Sequence, residues 1–305
     1  MKPSAPPPLK LGTRGSKLAM LQAKIAACAL KEKAGLSCEI VAIKTSGDKI
    51  AGPLADVGGK ALFARELEAA LFEGRIDFAV HSAKDLAAEI PAGLALAAVL
   101  PRETPFDALV LPAGTKALKD APRIGTASVR RSALARRRFV GATILPLRGN
   151  VDTRLKKLDA GAFDATVMAL AGLKRLGLAA RAEALPVEEW LPALAQGAIA
   201  IETRAADAPR FAVLNHEPSA LAVFCERAFQ AGLGGSCRSP IAGLAEISGR
   251  SLHFRGEVLA PDGTDAVAAA FEVALTGDYA ADLAAATVQG RGVGEAIRER
   301  AAKWL

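Results

Sequence analysis

Short β-like runs alternate with amphipathic helices twice over, and this alternation constrains the fold of the 305-residue chain more than any other feature. Such a sequence buries its apolar faces most simply as a parallel α/β sheet with helices laid upon it. Residues 10–13 read as a strand, 16–33 as a helix and 39–44 as a second strand. Leu62, Phe63, Leu67 and Leu71 recur at helical spacing within 61–73, Gly74 stops that helix, and 76–80 is a buried strand. The unit then repeats as strand 123–126, a helix from Ser128, strand 143–147, helix 152–160 and strand 165–170. Two such halves predict an α/β fold of two lobes with a ligand cleft between them. The run 198–202 is a further strand, placed to return the chain to the first lobe's sheet.

The pattern changes from about Ser219. A helix over 220–231 precedes a glycine-rich turn, three β runs (241–247, 252–259 and 266–275) and a closing helix over 279–303, which together predict a small α+β third domain. Pro261-Asp262-Gly263 suits the hairpin between the last two runs. The expected divisions are a proline-stiffened disordered tail at 1–8, a first domain of 9–102 and 200–217, a second of 103–199 and a third of 218–305. The start lacks the apolar stretch of a secretory signal, and no run reaches the roughly eighteen apolar residues of a membrane helix. The expectation is therefore a cytoplasmic protein without a membrane partner.

Charge is concentrated. Residues 123–154 hold eight arginines, no lysine and one acid (Asp152), an excess equal to the +7 of the whole chain. Arginine without lysine favours bidentate recognition of carboxylate or phosphate, because the planar guanidinium matches those groups. Three Gly/Ser/Thr-containing helix starts have an arginine within a few residues: Arg14-Gly15-Ser16, Thr126-Ala127-Ser128 and Arg148-Gly149-Asn150. Each suits an anion site at a helix N-terminus, or ordinary N-capping. No G-x-x-x-x-G-K-[ST] motif occurs, which argues against nucleotide hydrolysis.

His81-Ser82-Ala83-Lys84-Asp85 leaves a buried strand at the carboxyl end, where α/β sheets carry ligand groups. Asp85 beside Lys84 reads either as an exposed ion pair or as an acid held ionised near arginines. His81 reads as structural. The four cysteines have no zinc spacing, so no metal is expected, and Cys28 and Cys225 sit in apolar helical settings. Cys237, on a Gly-rich loop beside Arg238, is an accessible thiol with no histidine placed as a protease partner.

Seven collinear stretches carry a resemblance over nearly the whole chain. They are LGTRGSKLA (11–19), KTSGDKI (44–50), VGGKALFARELEAALFEGRIDFAVHSAKDL (57–86), IGTASVRRSALARRRF (124–139), LRGNVDTRLKKLDAGAFDATVMALAGLKRLG (147–177), LPALAQGAIAIE (191–202) and LGGSCRSPIAG (233–243). Together they resemble the hydroxymethylbilane synthase (porphobilinogen deaminase) family. That resemblance implies two lobes like those of type II periplasmic binding proteins and a third domain carrying a cofactor cysteine. It implies a monomeric transferase of tetrapyrrole biosynthesis that condenses four porphobilinogen molecules head to tail, with loss of ammonia, through polypyrrole intermediates. The implied cofactor is dipyrromethane, joined by a thioether to Cys237. Asp85 falls on the family's catalytic aspartate. Arg14, Ser16, Ser82, Lys84, Thr126, Ser128, Arg130, Arg131, Arg148, Arg154 and Arg175 fall on positions that bind cofactor or substrate carboxylates, and Gly59 and Lys60 on a lid segment. An azafulvenium-like cation left by departing ammonia would be stabilised by the Asp85 carboxylate.

The chain departs from the common family pattern at Lys17 and Ala87, where proline is usual, and at Ser236 and Arg238 flanking the cysteine. None of these changes removes a reactive group. An anion solute-binding protein shares the two-lobed reading but leaves the cysteine loop without a purpose. A nucleic-acid partner is disfavoured, since aromatics make up only 5% of the chain and stacking platforms are correspondingly few.

Overall fold

Both runs of alternating strands and helices become five-stranded sheets, and the two sheets share one strand order. The computed structural model describes residues 7–45, 64–234 and 239–305. The first sheet contains β1 (Leu9–Arg14), β2 (Cys38–Ile43), β3 (Phe78–Ser82), β4 (Leu94–Val99) and β10 (Ile199–Arg204), ordered β2-β1-β3-β10-β4. The second contains β5 (Asp107–Val110), β6 (Arg123–Gly125), β7 (Thr143–Leu145), β8 (Ala165–Ala169) and β9 (Ala182–Ala184), ordered β7-β6-β8-β5-β9.

Neither sheet is wholly parallel, which corrects the sequence expectation. β1 runs parallel to β2 and β3, and β6 to β7 and β8. β10 is antiparallel to β3 and β4, and β5 to β8 and β9. Crossover helices impose parallel pairing only on the strands they join. β10 and β5 are instead the strands laid down when the chain enters each lobe from the other, so that constraint does not reach them.

In the first lobe, Ser16 caps α1 (Lys17–Ala34), its hydroxyl accepting the Ala19 N–H at 3.2 Å, and Gly35 ends it in the left-handed conformation. α1 buries Ala19, Gln22, Ala23, Ala26 and Leu30, a single helical face, against Leu9, Leu11, Phe78 and Val80. α2 (Arg65–Phe72) covers the opposite sheet face with Leu67, Ala70 and Leu71. α6 (Ala208–Phe211) brings the Phe211 ring to 4.7 Å from that of Phe78. In the second lobe, α3 (Val129–Arg138), α4 (Val151–Asp159) and α5 (Leu170–Arg175) pack in the same way around Ile124, Leu134, Leu158 and Leu173.

The third region is an antiparallel meander of β11 (Ile241–Ser248), β12 (Ser251–Leu259) and β13 (Ala266–Ala274), with α7 (Glu217–Leu233) and α8 (Tyr279–Ala301). Its core joins Phe229, Leu233, Leu252, Phe254 and Ile297. The chain divides into two compact units. One holds the first lobe, and the other holds the second lobe together with this third region. Within the second unit the Arg137 guanidinium grips Glu257 of β12 in a bidentate pair at 2.8 and 2.9 Å, and Arg136 donates to the Pro261 carbonyl.

α7 and α8 approach so closely that glycine is required. A Cβ on Gly290 would stand 2.6 Å from the Cys225 carbonyl oxygen, and one on Gly294 would collide with the carbonyl oxygen of Phe229. Alanine favours an isolated helix by about 1 kcal/mol over glycine. Even so, Gly294→Ala is expected to destabilise the protein by about 1–3 kcal/mol through overpacking. Equilibrium urea unfolding measures the change, and an unchanged midpoint would show that the helices can part freely.

Candidate functional site

The first lobe gathers five of the expected site residues at the carboxyl ends of β1 and β3. Arg14 is the last residue of β1 and Ser16 caps the helix that follows. Ser82 ends β3, and Lys84 and Asp85 lie in the single 3₁₀ turn after it. Arg14 Nη1 stands 4.0 Å from Asp85 Oδ2, with about a third of the Asp85 side chain open to solvent. The Ser82 hydroxyl is within 2.9–3.0 Å of the Gln22 amide, which reaches across from α1. Gln22 was not singled out in the sequence. Its signal was a polar residue on the otherwise apolar buried stripe of that helix.

In the second lobe, Thr126 follows β6 and is buried, its hydroxyl accepting the Ser128 N–H at 3.2 Å, while Ser128 caps α3 by accepting the Arg131 N–H at 3.4 Å. Arg148 lies just ahead of α4, half-buried, and has no hydrogen bond or ion pair among the described residues. Arg154 Nε donates to the Gly149 carbonyl at 2.7 Å, closing the turn that carries Arg148. Gly149 has φ 111°, a conformation that favours glycine, so this turn depends on the residue between Arg148 and Asn150. Arg175 Nη2 donates to the Gly197 carbonyl at 2.7 Å, and burial lowers its pKa.

Arg130 and Arg131, expected among the residues that bind cofactor or substrate carboxylates, lie inside the second lobe. Both are buried and spent on Asp107, the fully buried first residue of β5. Arg130 Nη1 is 2.8 Å from Oδ2 and Arg131 Nη2 is 2.7 Å from Oδ1, while Trp190 Nε1 and Gln196 Nε2 each donate to the same carboxylate at 2.9 Å. Burial pushes the Asp107 pKa up, but the two guanidiniums outweigh it and hold the carboxyl far below the usual range. These arginines occupy the first turn of a helix with no acid there, where positive charge opposes the helix dipole, so a buried counter-charge is needed.

The remaining arginines of the cluster are mostly neutralised too. Arg123 pairs with Asp164, Arg137 with Glu257 and Arg138 with Glu189. The local charge excess read from the sequence is thus largely cancelled by acids from distant segments. Arg148 stands apart from it, with no hydrogen bond or ion pair among the described residues.

Cys237, Gly59 and Lys60 lie outside the described residues. Burial raises the Cys225 thiol pKa well above its ordinary value, which makes it an inert core group. Among the described residues no cluster of His, Cys, Asp and Glu could hold a metal ion, and no helix is long and apolar enough to cross a membrane.

Residues 9–210 match the family model of the porphobilinogen deaminase dipyromethane cofactor binding domain, and residues 220–299 match that of the porphobilinogen deaminase C-terminal domain. A porphobilinogen deaminase of Burkholderia thailandensis is 46% identical, across 98% of this chain and 92% of that protein. Among solved structures, the Bordetella pertussis BvgS periplasmic VFT2 domain is 18% identical over 68% of this chain and 85% of its own, with a TM-score of 0.40. An ABC transporter protein of Parabacteroides distasonis is 14% identical over 73% of this chain and 74% of its own, with a TM-score of 0.41.

Proposed function

The chain belongs to the porphobilinogen deaminase family, and on that premise we propose how its own residues divide the work. The activity is that of a transferase of tetrapyrrole biosynthesis: head-to-tail condensation of porphobilinogen with release of ammonia, on a dipyrromethane cofactor. When bound, dipyrromethane supplies the pyrrole carbon to which the first substrate is joined.

Asp85 is the catalytic carboxylate of this reading, and the observation that carries it is its position: a strand-end acid, partly open to solvent, beside a guanidinium 4.0 Å away. Arg14 keeps Asp85 oriented and its negative charge available. As ammonia leaves the substrate, positive charge develops next to a pyrrole N–H, and the Asp85 carboxylate stabilises it. The same carboxylate accepts and returns the proton moved when the new carbon–carbon bond forms.

The donors present suit a ligand rich in carboxylates. Porphobilinogen carries an acetate and a propionate, so each added ring brings two more. Arg14 and Lys84, with the Ser16 and Ser82 hydroxyls, serve in the first lobe, and Arg148, Arg154 and Arg175, with Thr126 and Ser128, in the second. Arg148 is the strongest of these, being half-buried with no partner among the described residues. Arg130 and Arg131 contribute by fixing the start of α3 through Asp107 rather than by reaching outward.

Cys237 carries the cofactor in this reading, Gly59 and Lys60 belong to a covering segment, and the enzyme is cytoplasmic and monomeric. The three-domain division of 9–102 with 200–217, 103–199 and 218–305 belongs to the same proposal. The purified protein is expected to weigh more than its sequence by the mass of two pyrrole units, and Cys237→Ser to lack that excess. Intact-mass spectrometry decides the point, and an excess that persists in the variant removes Cys237 from its role.

A further inference from the structure

The 3₁₀ turn that carries Asp85 is held at its near end by β3, and the Leu86 N–H closes it by donating to the Ala83 carbonyl at 3.3 Å. Beyond Leu86 the chain forms no helix or strand until β4 begins at Leu94. The far end of the turn therefore depends on contacts from elsewhere. Two of them come from one guanidinium: Arg227 Nη2 donates to the Ala87 carbonyl at 2.6 Å and to the Ala88 carbonyl at 3.1 Å. On α8, Arg291 Nη2 stands 3.4 Å from Glu89 Oε1. Residues 87–89 accordingly group with the compact unit that contains α7 and α8, while Leu86 and Ile90 on either side group with the first lobe.

Arg227 is suited to restraining a backbone. It stands in the interior of α7, between the buried Glu226 and Ala228, and is itself 5% exposed. A guanidinium so enclosed must be met by acceptors, and its hydrogen bonds are stronger than those between neutral groups. Both acceptors here are main-chain oxygens, so the bonds restrain the path of the chain rather than one side chain. Ala87 is two residues from Asp85, a span of at most about 7 Å. Alanine at 87, where the family pattern has proline, does not fix its own φ. The restraint must come from outside the segment.

We propose that Arg227 is a positioning residue for the reaction: by gripping the Ala87 and Ala88 carbonyls it fixes the outgoing end of the turn that presents Asp85. The inference rests on the reading of Asp85 as the catalytic carboxylate, and the effect passes through the backbone of Leu86. With the grip released the turn still forms, but the carboxylate leaves the position it must hold against the charge developing on the substrate. A displacement of about 1 Å at a reacting group can cost about 10²-fold in rate.

The test is a double-variant cycle on the holoenzyme. Arg227→Met keeps much of the bulk of the side chain and removes its charge and its donors. Its kcat with porphobilinogen is expected to fall about 10–100-fold, with intact mass showing the cofactor retained. In Asp85→Asn the carboxylate is already gone. Adding Arg227→Met there should lower kcat by less than about twofold, because a residue that acts through Asp85 has nothing left to position. A merely structural role predicts the same fractional loss in both backgrounds.

An unchanged kcat in Arg227→Met, or an equal loss in both backgrounds, overturns the proposal. Should Arg227→Met fail to fold, Arg227→Lys, whose arm is one bond shorter, carries the same cycle and is read by the same outcomes. Asp85→Asn alone keeps the two ideas apart, since near-normal turnover there removes the catalytic reading of Asp85. Amide hydrogen exchange of residues 86–89 then still tests the grip: faster exchange in the Arg227 variant than in the parent supports it, and unchanged exchange removes it.

Discussion

Asp85→Asn should fold normally, retain its covalent cofactor and turn over porphobilinogen about 10²–10⁴-fold more slowly. The substitution keeps the size of the side chain and removes only its charge and basicity. Asp85 lies in a short turn partly open to solvent, and its ion pair with Arg14 is long at 4.0 Å, so little stability depends on it. Asparagine can still meet the Arg14 guanidinium through its carbonyl oxygen. It cannot balance positive charge growing on the substrate or carry a proton between steps. Initial rates at saturating porphobilinogen, with intact mass measured on the same sample, separate lost chemistry from lost cofactor. Near-normal turnover in a fully loaded variant would end the catalytic assignment.

Asp107→Ala is expected to cost about 3–5 kcal/mol of stability, the largest loss of any substitution considered, because it strands two buried guanidiniums. The carboxylate it removes is fully buried and also accepts from Trp190 and Gln196. Linkage fixes the pH behaviour. The folded-state pKa of Asp107 is depressed, so its stabilisation is fully present above the unfolded value near 4 and is lost as pH falls through the folded value. The stability gap between the parent and Asp107→Ala should thus be constant above about pH 5 and narrow only in stronger acid. Urea unfolding from pH 7 down to pH 3 checks this. A gap that is small or absent at neutral pH would show that Arg130 and Arg131 find other partners.

The sequence made local structure legible wherever a short segment decides its own conformation. Ser16 and Ser128 do cap helices, and the run beginning at Ile199 does rejoin the first sheet. β4 and β5 were not anticipated, because short apolar runs such as Leu94–Val99 lack a periodicity that separates a strand from other buried chain. The employment of the arginines was illegible for a different reason. Arg131 meets Asp107 across 24 positions and Arg137 meets Glu257 across 120, so no local pattern reports either pair. Asp85, by contrast, sits where its motif placed it, because a strand and a single turn lead directly to it. Gly290 and Gly294 passed as ordinary helix residues, since their role exists only against the backbone of α7.

β10 has a consequence for how the molecule is made. It supplies an interior strand of the first sheet, seated between β3 and β4, yet it begins about a hundred residues beyond them in the chain. During synthesis the first lobe cannot close its sheet when its own amino-terminal segments emerge. β3 and β4 must wait, each with an unsatisfied edge, until the whole second lobe has been translated. Such sequence-distant pairing slows folding and prolongs the exposure of open strand edges, the state from which aggregation starts. A chain terminated before Ile199 would thus contain Arg14, Lys84 and Asp85 and still lack the strand that completes the sheet from which they project.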